Sequence, residues 1–370
     1  MKVAFGTTLL DRGLNNPKQD GIDGIGHYCH ELLQQYQKTS NAPAILAYSF
    51  DQAQSQCGAT LLPSYPKHLI GTLSQIYSDR FFKDVDLIHS TDQFIPISDK
   101  PLVATVMDVI PLSHPHFLKS SSRYLKSFLW KKLTQRADRI ITISDFSKSE
   151  ITKFLGFSEN QIDVIHLGVD QRYSTRISDS EKQSTLKALG IHSSFFLFLG
   201  SIQPRKNLVR LLEAHAKLPR SLAQEYPLVI AGKLAWDDGK TLSSIEQAIR
   251  EGRAKWLNYI SENQKCSLLQ SATGMAFVSL YECFGLPITE AFASELPVIT
   301  SNCTSMPEVA GNAAIVIDPS NTQQITDALL SLIEDNTLAN NLKTLGKQRS
   351  HLFSWEENAK RTLSIYQKMA

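Results

Sequence analysis

Short apolar runs alternate with helical patterns along almost the whole chain. The runs Lys2–Phe5, Ala44–Ala47, Leu87–His89, Leu102–Met107, Arg139–Ile143 and Asp163–His166 read as strands. After a break the series resumes with Phe195–Leu199, Leu228–Ala231, Ala276–Ser279, Val298–Thr300 and Ala314–Ile317. Apolar character without polar alternation predicts strands buried on both faces. Their regular spacing with helical patterns predicts parallel sheets covered by helices. The polar stretch Gly168–Lys187 reads as a linker, so one domain is expected over 1–168 and a second over 188–353. The last pattern, Ser354–Ala370, has Trp355, Ala359, Leu363 and Tyr366 at helical spacing. Ser354 and Glu357 suit a capping box at its start. The expected fold class is α/β, with two doubly wound parallel-sheet domains. Such sheets bind ligands at the carboxyl ends of their strands. The site is therefore sought in segments that follow strands, in a cleft between the domains.

Composition narrows the function classes. At 370 residues the chain exceeds one typical core. A formal net charge of +2 argues against general nucleic-acid binding. The five cysteines (Cys29, Cys57, Cys266, Cys283, Cys303) show no CxxC spacing, which gives neither a zinc site nor a disulfide framework. Met1–Gly6 is too short for a secretory signal, and no apolar run reaches bilayer-crossing length. A reducing cytoplasm fits best.

Two strand-end segments carry most of the candidate chemistry. In Tyr281–Glu290, Glu282 and Glu290 flank a glycine turn that opens a helix. Pro287 suits the first helical position. The amides of Gly285 and Leu286 would then face outward at the positive end of the helix, which favours an anion. Backbone donors for a phosphate beside two carboxylate acceptors for hydroxyls match a nucleotide-sugar. A buried turn with a capping acid is the alternative. The second segment follows Phe195–Leu199: Gly200, then Pro204-Arg205-Lys206-Asn207 and a helical pattern with Leu208, Leu211 and Leu212. Asn207 reads as the N-cap. Arg205 and Lys206 at a helix start are unfavourable unless an anion joins them, and a diphosphate answers that need. A solvated basic loop is the alternative.

With these pieces in order, the chain resembles the retaining glycosyltransferases of family 4, which have the GT-B fold. The resemblance covers nearly the whole chain. It rests also on Leu296-Pro297-Val298-Ile299, Met306-Pro307-Glu308-Val309, Gly311-Asn312-Ala313-Ala314 and Asp318-Pro319. In the first half it rests on Gly24–Tyr28, Asp108–Pro111 and Ala137–Ser144. It implies transfer with retention and without a metal, with no cofactor beyond the donor nucleotide-sugar as substrate. Arg205, Lys206 and the Gly285 and Leu286 amides would stabilise the leaving diphosphate, Glu290 would hold the ribose, and Glu282 the donor sugar. Wording around Gln203–Asn207 and Gly232-Lys233 most resembles mannosyl- and rhamnosyltransferases of surface polysaccharides, which suggests GDP-mannose and a glycan or lipid-linked acceptor. A nucleotide-sugar epimerase of the same architecture and a non-catalytic sugar-binding relative are the alternatives. Three positions depart from the family: Cys283 and Glu295 replace glycines, and Met107 replaces a histidine. His89 or His27 are candidates to compensate for the last.

Three further features have two readings each. Gly21–Gly26 lies too far beyond the first strand for a dinucleotide fingerprint and reads as a glycine loop or as a helix entry with no ligand; the resemblance implies that this loop, with Gly26, approaches the donor phosphate or the acceptor. Asp108 ends an apolar run and suits a catalytic place, accepting from a sugar hydroxyl or acting as a base toward the acceptor, with a cap on the next turn as the alternative. The stretch Phe117–Ala137 has six cations (Lys119, Arg123, Lys126, Lys131, Lys132 and Arg136) and no acid. Leu125, Phe128, Leu129 and Leu133 are its expected inward face, with Trp130 turned away. It reads first as a solvated basic face and second as a membrane-surface helix, peripheral at the inner membrane face.

Overall fold

The computed structural model describes residues 1–15, 24–40, 42–73, 82–117, 123–235 and 239–369. The chain divides into two compact units, Met1–Gly168 with Trp355–Ala370, and Val169–Ser354.

Among the described residues the first unit holds seven strands: β1 (Lys2–Gly6), β2 (Ala44–Phe50), β3 (Thr60–Leu62), β4 (Leu87–Ser90), β5 (Leu102–Thr105), β6 (Arg139–Thr142) and β7 (Ile162–Val164). All pair in parallel, in the order β3-β2-β1-β4-β5-β6-β7. The described residues of the second unit hold six: β8 (Phe196–Leu199), β9 (Leu228–Ala231), β10 (Ala254–Asn258), β11 (Gly274–Phe277), β12 (Val298–Ser301) and β13 (Ile315–Ile317). These are also parallel, in the order β10-β9-β8-β11-β12-β13. Each order reverses beside its first strand, so the loops after β8 and β11 leave neighbouring strands in different directions and open a crevice.

The apolar runs became strands because both faces are covered. Every residue of β4, β5, β8, β9, β11 and β12 is buried. Two strands have no counterpart in the sequence reading, β3 and β10. Both are sheet edges with exposed or half-exposed residues, and neither shows a continuous apolar run. The linker expected over Gly168–Lys187 is not one. Gln171–Tyr173 forms a 3-10 turn and Asp179–Ala188 a helix, and both belong to the second unit. Asp170 and Ser178 cap them, so their polar side chains bond local amides instead of solvating a loose chain.

The helix Trp355–Met369 packs into the first unit. Its Tyr366 is fully buried and meets His89 Nδ1 at 2.5 Å and the Tyr36 hydroxyl at 3.2 Å. A Cβ on Gly168 would fall 2.3 Å from the Trp355 nitrogen, so glycine is required where the helix enters.

Candidate functional site

In the second unit, the loop after β8 carries Arg205 and Lys206 and the loop after β11 carries Glu282. The topology brings them together. Arg205 Nη1 lies 2.9 Å from Glu282 Oε2, and Lys206 Nζ lies 2.7 Å from Glu282 Oε1. Arg205 also donates to the Tyr281 carbonyl, and Lys206 sits 4.6 Å from the centre of the Phe277 ring. Lys206 and Glu282 are buried. Burial alone would push the Glu282 carboxyl up, but Lys206 and then Arg205 outweigh it and hold it below its ordinary value. Burial is the largest influence on Lys206 and lowers its ammonium, against the pull of Glu282. Two cations around one carboxylate leave the cluster with a formal charge of +1. Asn207 does not cap the following helix, Leu208–Ala216. It takes a left-handed φ of 60° and its amide donates to the carbonyls of Val278 and Pro319. Asn207 thus ties the β8 loop to the end of β11, which fixes the register in which Arg205 and Lys206 meet Glu282.

The helix Leu286–Ala293 starts after Gly285, whose φ of 102° suits glycine. Leu286 is its first residue and Pro287 its second, one place later than the sequence reading put it. Pro287 has no N–H and the Ile288 amide donates to the Gly285 carbonyl at 2.8 Å, which leaves the Leu286 amide at the helix start. Leu286, Pro287 and Glu290 line a pocket of about 280 Å³ with Gly200, Gly232 and Lys265. A Cβ on Gly232 would come 1.9 Å from the Gly200 carbonyl oxygen, so this glycine pair forms the narrow floor between β8 and β9. Lys233 lies over the Tyr259 ring at 5.0 Å at the pocket's edge. Glu290 is buried, and its Oε1 accepts from Lys265 Nζ at 2.7 Å. Lys265 also donates to the Tyr173 hydroxyl, which in turn donates to Glu262, each at 2.8 Å. Burial lowers the Lys265 ammonium, but Glu290 and Glu262 outweigh it and the net shift is upward.

Lys265 and Tyr173 are absent from the sequence reading. Tyr173 lay in the supposed linker. Lys265 stands at the fourth position of the helix Glu262–Leu269, where a lysine reads as a solvated residue. Only the fold turns it toward Glu290. The glycine departures divide. Glu295 has a left-handed φ of 55°, which explains a glycine preference there, whereas Cys283 is not among the positive-φ residues.

In the first unit, a cavity of about 650 Å³ is lined by Tyr65, Leu69, Val106, Asp108, Pro111 and Trp130 among others. Asp108 does not end a strand, since β5 stops at Thr105, and its Oδ1 accepts from the Ile110 amide at 3.0 Å. The capping alternative is therefore realised, on a residue that also lines the cavity. Gly26 sits within the helix Gly24–Lys38 and not in a loop; Gly21, Ile22 and Asp23 lie outside the described residues. His89 does not replace the family histidine. It is fully buried between Thr105 and Tyr366, and burial lowers its pKa to about 3. His27 packs against Trp355. In the basic stretch the expected faces are wrong. Leu133 is buried as expected, but Trp130 packs on the core while Phe128 and Leu129 are 60% and 47% exposed. Residues 118–122, with Lys119, lie outside the described residues.

The comparisons with known proteins agree with this anatomy. Residues 22–173 match the family described as Glycosyltransferase Family 4, and residues 181–349 match Glycosyl transferases group 1. The chain is 30% identical to O-antigen chain mannosyltransferase B of Escherichia coli, over 89% of this chain and 84% of that protein. It is 27% identical to the serotype-specific mannosyltransferase WbdA of Escherichia coli, over 72% of this chain but only 33% of that longer protein. Among solved structures, Anabaena HepE in complex with UDP-glucose superposes with a TM-score of 0.74 at 20% identity, covering 98% of this chain and 99% of that one. Two parallel-sheet α/β units of this kind define a GT-B glycosyltransferase. The chain belongs to glycosyltransferase family 4 and is a hexosyltransferase.

Proposed function

We propose that the protein transfers mannose from GDP-mannose, with retention at the anomeric carbon and without a metal ion, to a glycan or lipid-linked acceptor in surface polysaccharide synthesis. The observation that carries this reading is the cluster of Arg205 with the buried Lys206 and Glu282 on the loops after β8 and β11. Its residual positive charge suits a departing diphosphate, and preorganised charge of that kind is the largest usual contribution to such a transfer. Lys206 and Arg205 would hold that diphosphate together with the amides of Gly285 and Leu286. Glu282 would face the donor sugar and keep both cations oriented. Glu290, in the neighbouring pocket, would hold the ribose hydroxyls. Mannose is favoured by the relatives: the proteins from Escherichia coli reported above are both mannosyltransferases.

Acceptor chemistry is assigned to the first unit. Its cavity is mostly apolar, with Asp108 as an acceptor for a sugar hydroxyl, and Gly26 in the first turn of its helix is kept as a donor-side contact. The helix Arg123–Thr134 exposes Phe128 and Leu129 beside Lys132, with the exposed Arg136 just beyond its end. Apolar side chains among cations suit the face of an anionic membrane. Among the described residues no helix is long and apolar enough to cross a bilayer.

The test is calorimetric titration of the full chain with nucleoside diphosphates and their sugars, followed by transfer assays with and without EDTA. Tightest binding of GDP-mannose and chelator-resistant transfer to a mannoside, with the anomeric configuration kept by NMR, are the expected results. Consumption of donor without acceptor would establish an epimerase, and binding without turnover a non-catalytic relative.

A further inference from the structure

Glu290 is more than nine-tenths buried, and its two oxygens differ. Oε1 is held by Lys265, whereas Oε2 has no hydrogen-bond partner. A buried acceptor left unsatisfied is costly, and Glu290 lines a pocket open to a ligand. Lys265 is fixed in turn. Its second bond goes to the Tyr173 hydroxyl, which donates to Glu262, and the Tyr173 carbonyl accepts from Ser294 Oγ at 3.1 Å. Ser294 immediately follows the helix that carries Glu290. The lysine is thus anchored to the same helix whose carboxylate it holds.

We propose that Lys265, oriented by Tyr173, is a positioning residue that keeps Glu290 turned so that one oxygen accepts from a ribose hydroxyl, and so sets selectivity for ribonucleotide over deoxyribonucleotide donors. This rests on the assignment of Glu290 to the ribose. A buried carboxylate deprived of its cation swings toward water. A displaced Glu290 has no acceptor oxygen in place, and the hydroxyl contributes little. A ribonucleotide then loses its advantage, while a nucleotide without that hydroxyl has nothing to lose. Neither Lys265 nor Tyr173 is asked to touch the diphosphate or the reacting carbon.

The experiment is calorimetry with GDP, 2′-deoxy-GDP and 3′-deoxy-GDP on the wild type and on Lys265→Met, Lys265→Arg, Tyr173→Phe and Glu290→Ala. In the wild type, one deoxy analogue should bind about 10-fold to 150-fold more weakly than GDP, the span of a charge-assisted hydrogen bond. Lys265→Met should abolish that ratio by weakening GDP alone. Lys265→Arg should restore part of it, and Tyr173→Phe should reduce it while keeping the packing. Equal weakening of GDP and both analogues in Lys265→Met, or an unchanged ratio, overturns the inference. An unchanged ratio in Glu290→Ala, or no ratio in the wild type, instead removes the ribose assignment beneath it. Thermal denaturation identifies any variant that fails to fold, and Tyr173→Phe, which loses one oxygen atom, then decides.

Discussion

The two units share a fold but place opposite chemistry at their strand ends. In the second unit the loops after β8 and β11 set Arg205 and the buried Lys206 each within 3 Å of the buried Glu282 carboxylate. In the first, the end of β5 opens on an apolar cavity, and the histidine behind it, His89, is held neutral by burial. The same doubly wound scaffold therefore presents a cationic half and a greasy half. The difference teaches that topology fixes where a ligand goes, while loop residues fix what it is. An anionic donor belongs with the first kind of surface, and an acceptor with an apolar portion with the second.

Removing Glu282 should break the contrast most sharply. Glu282→Ala leaves two cations facing each other, one of them buried, and a broken buried pair typically costs about 3–5 kcal/mol. Denaturant titration should show that loss in the second unit, together with loss of transfer. A change below about 1 kcal/mol would mean that the charges do not depend on one another. Next in size, Arg205→Ala and Lys206→Ala should each lower turnover by roughly a hundredfold to a thousandfold. Their double variant should lose less than the product, because both answer to one carboxylate and one diphosphate. Fully multiplicative rates would argue for two separate roles.

Acid separates the units by a different route. His89 and His68 in the first unit have folded pKa values lowered by burial to about 3 and about 4. Both are neutral when folded, and the unfolded chain binds protons more readily. Their contribution is complete above the unfolded value near 6.5, and it is lost as pH falls toward those folded values, at up to about 1.4 kcal/mol per pH unit for each histidine. In the second unit burial lowers His215 in the same way. The carboxyl of Glu282 is lowered too, so its contribution persists above the unfolded value of 4.5 and fades only as pH falls through its folded value. Denaturation midpoints measured from pH 7 to 4 should fall, and His89→Gln should flatten the slope. The smallest effect is expected at the surface. Phe128→Ser with Leu129→Ser should alter stability by no more than about 0.5 kcal/mol, yet reduce binding to anionic vesicles in a flotation assay.

Much of this was legible in the sequence, for reasons that individual residues make plain. The central strands were readable because burial on both faces demands uninterrupted apolar residues, as in Phe196–Leu199. Edge strands β3 and β10 escaped because half of each edge meets solvent. Arg205, Lys206 and Glu282 could be nominated because charges beside strand ends and helix starts are locally anomalous. That both cations turn to Glu282 could not, since it depends on β8 and β11 being neighbours although some 80 residues separate the loops. The inverted faces of the Arg123–Thr134 helix show a limit of another kind. Helical spacing put Phe128 and Leu129 inward and turned Trp130 away, whereas the packing beneath takes Trp130 and leaves the other two exposed.

The helix Trp355–Met369 has a consequence for how the molecule is made. It fills the core of the first unit, yet it is translated after Val169–Ser354, a stretch of 186 residues by subtraction. At about 5–20 residues per second, the ribosome needs roughly 10–40 s to bridge that gap. During that time Tyr36 and His89 lie open, without the Tyr366 hydroxyl that later bonds both. The second unit, uninterrupted in the chain, can close first although it is made second. The nascent first unit is therefore a waiting client for chaperones until its last helix arrives.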